Sequence, residues 1–418
     1  MNLLEMVAGN QIEKTGEIKK LTIPGSAYSK YDVIAIPLKY LYYNDQNGRI
    51  NTAYKKHKVE KGELTPEVGD SKYNEIFEGF IYDSNKPKMI DTITSIKEKN
   101  QQEPGVVLSD GRVIDGNRRF TALRRLQKES GIPQTFNAVI LRLDAQLKAD
   151  EKKIKEIELD LQLGREERVG YDPIDRIFDV YNTIVVEKLM TKEEYKKASS
   201  AGNTKGINRD IRLAELILKF ICIISPGGDA INRFYLARDL KLDGPIEEIE
   251  STIDKLKMKN KEAITDAVLV HLAVTKTDET QKDSTRGMRD LKTNVLKNPE
   301  ILQYYLEAVD DNVDIFIDWF ASNPIQSASD LKKFIDQDDT LNEAVKKLKK
   351  STKSLIFKGQ KDSERRKYLI ELEEIRDNLD NISSDDFSEL TADENIEAKE
   401  ILIEITDILY KLKKELKI

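Results

Sequence analysis

The sequence predicts an α+β fold, with a mixed α/β portion at the amino terminus and a mainly α-helical region after it. Three observations predict it. Short apolar runs of strand length, Val33-Ile34-Ala35-Ile36, Val106-Val107-Leu108 and Ala138-Val139-Ile140-Leu141, all fall before Asp144. Beyond Asp144 the apolar residues recur almost wholly at helical spacing. Glycine and proline are sparse, 20 and 11 in 418 residues, which argues against long unstructured linkers. A chain of this length is expected to hold two or three domains, here read as 1–145, 146–226 and 227–418.

Taken in order, residues 1–17 lack a basic segment and a long apolar core, so no signal peptide is expected. No window stays apolar for the ~20 residues of a membrane span, and the cytoplasm is the expected compartment. After the first strand, residues 51–74 are polar and rich in Lys and Glu and look like an insertion. Within it Lys55-Lys56-His57-Lys58 reads as a solvated run. Ile76, Phe77, Phe80 and Ile81, then Met89, Ile90, Ile93 and Ile96, form two helical stripes. Residues 83–87 separate them, and Pro87 suits a helix start.

Residues 106–126 are the most informative stretch. A strand at Val106-Val107-Leu108 meets the turn Ser109-Asp110-Gly111, and Val113-Ile114 resume the apolar run. Asp115-Gly116-Asn117 then breaks it, and Phe120, Leu123 and Leu126 continue at helical spacing.

In the helical region, Pro173 opens a helix marked by Ile174, Ile177, Phe178 and Tyr181. Thr191 is placed to cap another, with Glu193 and Glu194 near its positive end. Gly202 and Gly206 bracket a polar break, and a second helix starting near Ile207 carries Ile211, Leu213, Leu216, Ile217 and Phe220. Pro226-Gly227-Gly228 reads as a domain boundary. Cys222, the single cysteine, reads as a small core residue and fits a reducing compartment. In the tail, Leu341, Val345 and Leu348, and later Ile401, Ile405, Ile408, Leu409, Leu412 and Leu416, suit helix pairing or a short coiled coil. A homodimer, or a protein partner held through these C-terminal helices, is the expected use of such a tail.

Hydrophobic residues make up 39% and charged residues 34%, with a net charge of −7. That balance argues against nonspecific coating of nucleic acid but leaves room for a local basic face. The two histidines, His57 and His271, have no Cys or His neighbour at zinc spacing. No G-x-S-x-G elbow, P-loop or G-x-G-x-x-G fingerprint suggests a hydrolase triad or either nucleotide fold. Residues 115–119, by contrast, lie where a strand hands over to a helix. The free N–H groups of a helix start favour an anion. Gly116 permits close backbone approach, and Arg118 and Arg119 add charged donors. The plain chemical reading is a nucleotide phosphate site; the alternative is a common turn followed by two solvated arginines. Arg286, Arg289 and Lys292 share one helix side, either facing a phosphate backbone or paired with Asp283 and Asp290.

Gln102-Glu103-Pro104-Gly105-Val106-Val107, followed by residues 115–123, resembles the ParB/sulfiredoxin-like domain, with its proline-containing strand entry and its G-x-R-R-x-x-A-type box. Upstream, residues 36–41 and Asn47-Gly48-Arg49 look like the opening strand and the N-x-R segment of that family. Downstream, Leu159-Asp160-Leu161-Gln162 and residues 171–175 look like its third box and the start of its helical domain, and residues 191–213 resemble the ParB helix-turn-helix. These segments cover about residues 30–220, roughly half of the chain. Asn117 stands where partition proteins usually carry glutamate, which weakens the implication of CTP hydrolysis. The third box departs too, from the usual Glu-Asn-x-Gln-Arg.

The resemblance implies a nucleoside triphosphate, CTP or ATP, bound by Asp115, Gly116, Asn117, Arg118, Arg119, Arg49, Gln102 and Gln162, with Asp160 holding Mg2+. It implies DNA contact through Lys205, Asn208, Arg209 and Arg212, regulated by the nucleotide. Plasmid, phage and anti-phage defence settings are where such folds occur. The competing implication is an enzyme of the same fold, an NTPase, kinase or nuclease, with Asp115 or Asp160 as metal ligand or base.

Overall fold

The structure is a computed structural model. It describes residues 2–21, 23, 29–144, 147–163, 172–201, 203–256, 260–277, 283–333, 339–365, 367–383, 387 and 390–417. The chain opens with α1 (Leu3–Ala8), β1 (Glu13–Lys20), β2 (Lys30–Pro37) and β3 (Tyr42–Tyr43). A 3-10 turn at Gly48–Ile50 leads into α2 (Asn51–Lys61), α3 (Lys72–Ser84) and α4 (Lys86–Lys99). Then come β4 (Gly105–Leu108), β5 (Arg112–Asp115), α5 (Asn117–Ser130), β6 (Thr135–Leu141) and α6 (Lys148–Leu163).

The six strands form one mixed sheet in the order β1-β2-β6-β4-β5-β3. β6 runs parallel to β4 and antiparallel to β2, and β3 is parallel to β5. Alternation along the strands sorts the core into two faces. Val107, Val113, Ala138 and Ile140 pack with Phe77, Met89 and Phe120 on the side of α2 to α5. Val106, Leu108, Ile114 and Val139 pack with Ile154, Ile157 and Leu161 of α6 on the other. The strands expected from apolar runs are all present. β1 is not legible that way: it reads Glu-Lys-Thr-Gly-Glu-Ile-Lys-Lys and lies exposed on the sheet edge, where charge blocks further pairing.

The polar stretch 51–74 is more than a surface insertion. It holds α2, which buries Thr52, Tyr54 and His57. His57 is therefore not part of a solvated run: its ring packs edge-on to Phe80, and burial lowers its pKa.

The rest is helical: α7 (Pro173–Tyr181), α8 (Lys192–Ala198), α9 (Lys205–Ile224), α10 (Tyr235–Asp239), α11 (Asp243–Lys255), α12 (Lys261–Thr277), α13 (Ser284–Leu291), α14 (Pro299–Ser322), α15 (Ala328–Lys333), α16 (Asp339–Arg365), α17 (Lys367–Asn381) and α18 (Ala392–Glu415). Local chemistry sets the starts. Asp172 caps α7 ahead of Pro173, and Thr191 with Glu194 forms a capping box on α8. Gly202 lies outside the described residues, but α8 ends at Ala198 and α9 begins at Lys205, so the expected pair of helices with a break is present. One core spans the Pro226-Gly227-Gly228 turn, joining Ile217, Phe220 and Ile224 before it to Phe234 and Leu236 after it. That turn does not divide two cores. Leu341, Val345 and Leu348 of α16 join the same core. Cys222 is exposed rather than buried, because α9 turns Phe220, Ile221 and Ile224 inward instead.

Candidate functional site

The β4–β5 hairpin delivers the chain to the start of α5. Val106 pairs with Asp115 and Val107 with Val113, so the register shifts by a bulge between them. Gly116 then turns at φ +92°, a left-handed conformation that ends β5 and opens α5. A Cβ at Gly116 would lie 2.8 Å from Phe136 Cζ, and one at Gly105 only 2.2 Å from the same atom. Both glycines are required by that buried ring beneath the turn.

No side chain caps α5. Its first residue, Asn117, is 8% exposed, and its Oδ1 has no hydrogen-bond partner. Arg119 Nη2 donates to Asp115 Oδ2 at 3.2 Å, while its Nε is buried without a partner. Arg118 is half-buried and pairs with no carboxylate among the described residues. Burial, then the positive charge of Arg49, pulls its pKa down to about 10. Further along α5 the pattern reverses. Arg124 is fully buried, donates from Nε to Glu78 at 3.0 Å, and reaches the Gly69 carbonyl at 2.8 Å. The first turn of α5 thus gathers positive charge and unsatisfied polar atoms, the arrangement an anion would complete.

Arg49 sits on the 3-10 turn, where the Asn47 side chain accepts from the Arg49 N–H at 3.0 Å. The neighbouring Gly48 N–H donates to Glu158 Oε1 at 3.1 Å. Glu158 is buried, which pushes its carboxyl up against the pull of Lys155. Lys155 also meets Asp179 at 2.6 Å, and the Tyr195 hydroxyl donates to Asp179 at 3.1 Å. This chain of contacts runs from the arginine-bearing turn through α6 and α7 to α8. A second link lies beside it: Thr52 Oγ1 donates to Asp175 at 2.5 Å, and Arg238 Nη1 stands 3.1 Å from the same carboxylate. Burial pushes Asp175 up to about 7, against the opposing charge of Arg238.

Glu158, missed by sequence reasoning, is the acid that touches this turn. Asp160, two residues on, lies about 200° round the helix from it. Among the described residues no group of three His, Cys, Asp or Glu is placed to hold a metal ion. Gln102 is exposed, and its amide turns back to the Lys99 carbonyl at the end of α4. Its neighbour Gln101 does the structural work, bonding both polar groups of the Asn137 backbone at 2.7 and 2.9 Å. The side chain of Gln162 lies outside the described residues.

The four residues expected to face DNA are brought together on α9, but each has a partner. Lys205 meets Asp380 Oδ1 at 3.1 Å and the Asp380 carbonyl at 2.9 Å. Asn208 accepts from Lys192 at 2.6 Å. Arg209 pairs with Glu247 at 3.0 Å, and Arg212 pairs with Glu250 and, at 3.7 Å, Asp254. Here α11 and α17 cover the basic side of α9 with carboxylates. A cleft of ≈ 480 Å3 beside it, lined by Arg212, Lys219, Glu250, Asp254 and Glu262, carries both signs of charge. Arg289 and Lys292 also pair, with Glu248 of α11 at 2.9 Å each rather than with Asp283 or Asp290. Compared with protein-family models, curated proteins and solved structures, the chain matches none.

Proposed function

We propose that the chain is a ParB-like nucleotide-binding protein, whose α5 start takes the phosphates of a nucleoside triphosphate, CTP or ATP. The observation that carries this reading is Arg118, a half-buried cation beside Arg49 with no carboxylate partner among the described residues. An isolated buried charge is costly, and an anionic ligand would offset that cost. The unpartnered Asn117 Oδ1 and Arg119 Nε at the same turn support it. Backbone N–H groups of the first turn, with Arg118 and Arg119, would hold the phosphate oxygens; Mg2+ would arrive on the nucleotide's own phosphates. Asn117 supplies neither acid nor base where partition proteins usually carry glutamate, so the reading is binding, with slow hydrolysis at most.

In this reading DNA contact through α9 is conditional. It requires Lys205, Arg209 and Arg212 to exchange their carboxylate partners for phosphates. The Glu158–Lys155–Asp179–Tyr195 contacts would give the Arg49 turn a physical route to α8, which meets α9 through Lys192 and Asn208. The test is calorimetric titration with each of the four NTPs, with and without Mg2+ and duplex DNA. One NTP bound by wild type and lost in Arg118→Ala is the expected result. No binding of any NTP would overturn the phosphate site.

A further inference from the structure

We propose that α18 pairs antiparallel with α18 of a second copy of this chain. This goes beyond the nucleotide reading and does not rest on it.

The helix is well made. Thr391 and Glu394 form a reciprocal capping box at its start. At 24 residues it is about 36 Å long. Yet it buries no residue, and among the described residues no ion pair ties it to another helix. Ala398, Ile401, Ile405, Ile408 and Leu412 recur at alternating spacings of three and four, the pattern of a coiled-coil seam. Leu402, Leu409 and Leu416 widen the stripe along one flank. Ile401 is 48% exposed, Ile408 62% and Leu416 59%. Most helical stability in proteins comes from packing an apolar face, and a contiguous exposed apolar stripe marks an interaction surface. The Leu341–Leu348 stripe of α16 is already buried in its own core, and Leu369, Leu372 and Ile375 of α17 are themselves exposed, so among the described residues nothing buries α18.

Charge complementarity identifies the occupant. The first sixteen residues carry Asp393, Glu394, Glu397, Glu400, Glu404 and Asp407 against only Lys399. The last part carries Lys411, Lys413 and Lys414 against only Glu415, and Lys417 follows the helix. A parallel pair would lay acid on acid and base on base. An antiparallel pair lays the acidic half of one helix along the basic half of the other. In that register Ile405 of one copy meets Ile401 of the other, and Ala398 meets Ile408. Glu397 then flanks Lys411 of the second copy, and Lys411 flanks the second Glu397. In the row Glu397, Glu404 and Lys411 the two outer pairs are complementary, and only the central Glu404 meets its own copy.

The experiment is sedimentation equilibrium of the full chain across micromolar to sub-millimolar concentrations. Wild type should reach twice the chain mass of 47.9 kDa. Ile408→Asp should weaken dimerisation by tenfold or more, roughly the loss expected on burying a charge in an apolar seam. Circular dichroism should show that the rest of the chain remains folded. Glu397→Lys and Lys411→Glu should each weaken the dimer, and the double swap should restore it. Restoration is specific to the antiparallel pair, because parallel copies never bring 397 near 411. A monomeric wild type at every concentration would overturn the proposal. So would a dimer untouched by Ile408→Asp, or one strengthened by Glu397→Lys.

Discussion

The starts of α5 and α9 look alike in sequence, since both follow a polar, glycine-bearing break and both set arginines on the first turns. Their electrostatics differ. At α5, Arg118 has a second arginine beside it and, among the described residues, no carboxylate. At α9, Lys205, Arg209 and Arg212 each face a carboxylate, from Asp380, Glu247 and Glu250. A cation's meaning is therefore set by acids far away in the chain. Where the fold supplies them, the cation fastens helices together; where it does not, the proposed function gives it an external anion. Residue type and helix position alone do not separate the two cases.

The largest effect expected from this contrast comes from an arginine of the paired kind on α5 itself. Arg124 and Glu78 are both buried, so Arg124→Met leaves an acid in the core with only Arg125 and Lys128 nearby. Breaking a buried pair costs about 3 kcal/mol or more. Urea unfolding should show that loss. A cost below about 1 kcal/mol, the level of an exposed pair, would mean that α5 does not distinguish paired from unpaired arginines.

Arg118 should behave in the opposite sense. Arg118→Ala removes a charge-assisted contact worth about 1.5–3 kcal/mol and should weaken NTP binding at least ~tenfold. Arg118→Met should leave unfolding stability unchanged or raise it by roughly 0.5–1 kcal/mol, since it removes a cation held beside Arg49. Arg209→Ala should leave NTP affinity where it is. Calorimetry and urea unfolding on the same three proteins check this. Loss of stability in Arg118→Met without loss of NTP affinity would reclassify Arg118 as structural.

The sheet-bearing part and the helical part meet at Asp175 of α7, which binds Thr52 of α2 and Arg238 of α10 and whose pKa of about 7 lies above the ordinary carboxyl value because it is buried. An acid raised on folding stabilises in its protonated form. That contribution is complete below about pH 4 and is lost as pH rises through about 7. Wild type should therefore lose stability over that window relative to Asp175→Asn, by on the order of 1 kcal/mol given the opposing charge of Arg238. Parallel stability profiles of the two proteins between pH 4 and 8 would show that Asp175 stays ionised and that the junction is not proton-linked.

Much of this architecture was legible because it is local. The β4–β5–α5 passage follows from apolar runs, turn residues and one glycine, and the structure places each within a residue or two of its expected bounds. What stayed hidden depends on distant partners. β1 has no apolar alternation, because it is an exposed edge strand whose pairing with β2 alone defines it. His57 sits in a lysine run yet is buried, because α2 lies over Phe80. Glu158 lies two residues before Asp160, the residue singled out for a metal, and the approach of Gly48 gives it a role. The carboxylates that neutralise α9 lie on α11 and α17, which no spacing rule connects to Arg209 or Lys205.

The smallest effect, and the finest test, concerns those carboxylates. Asp380 and Lys205 are both more than half exposed, and Glu247 is only partly covered against Arg209. Such pairs contribute little, so Glu247→Ala/Asp380→Ala should change unfolding stability by less than about 1 kcal/mol. Its effect on charge is larger, for it frees Lys205 and Arg209 together. On the DNA arm of the proposed function, the double variant should bind duplex DNA several-fold more tightly than wild type without nucleotide. Each freed cation that takes a phosphate should also steepen the salt dependence, by about one unit of slope. Fluorescence anisotropy on a pool of genomic fragments, at several salt concentrations, reads both quantities. If the variant binds no better than wild type and the slope is unchanged, α9 is fastened in the same sense as Arg124, and its cations are framework. If affinity and slope rise together, α11 and α17 are covers, and the α5 and α9 starts differ only in whether their anion is already in place.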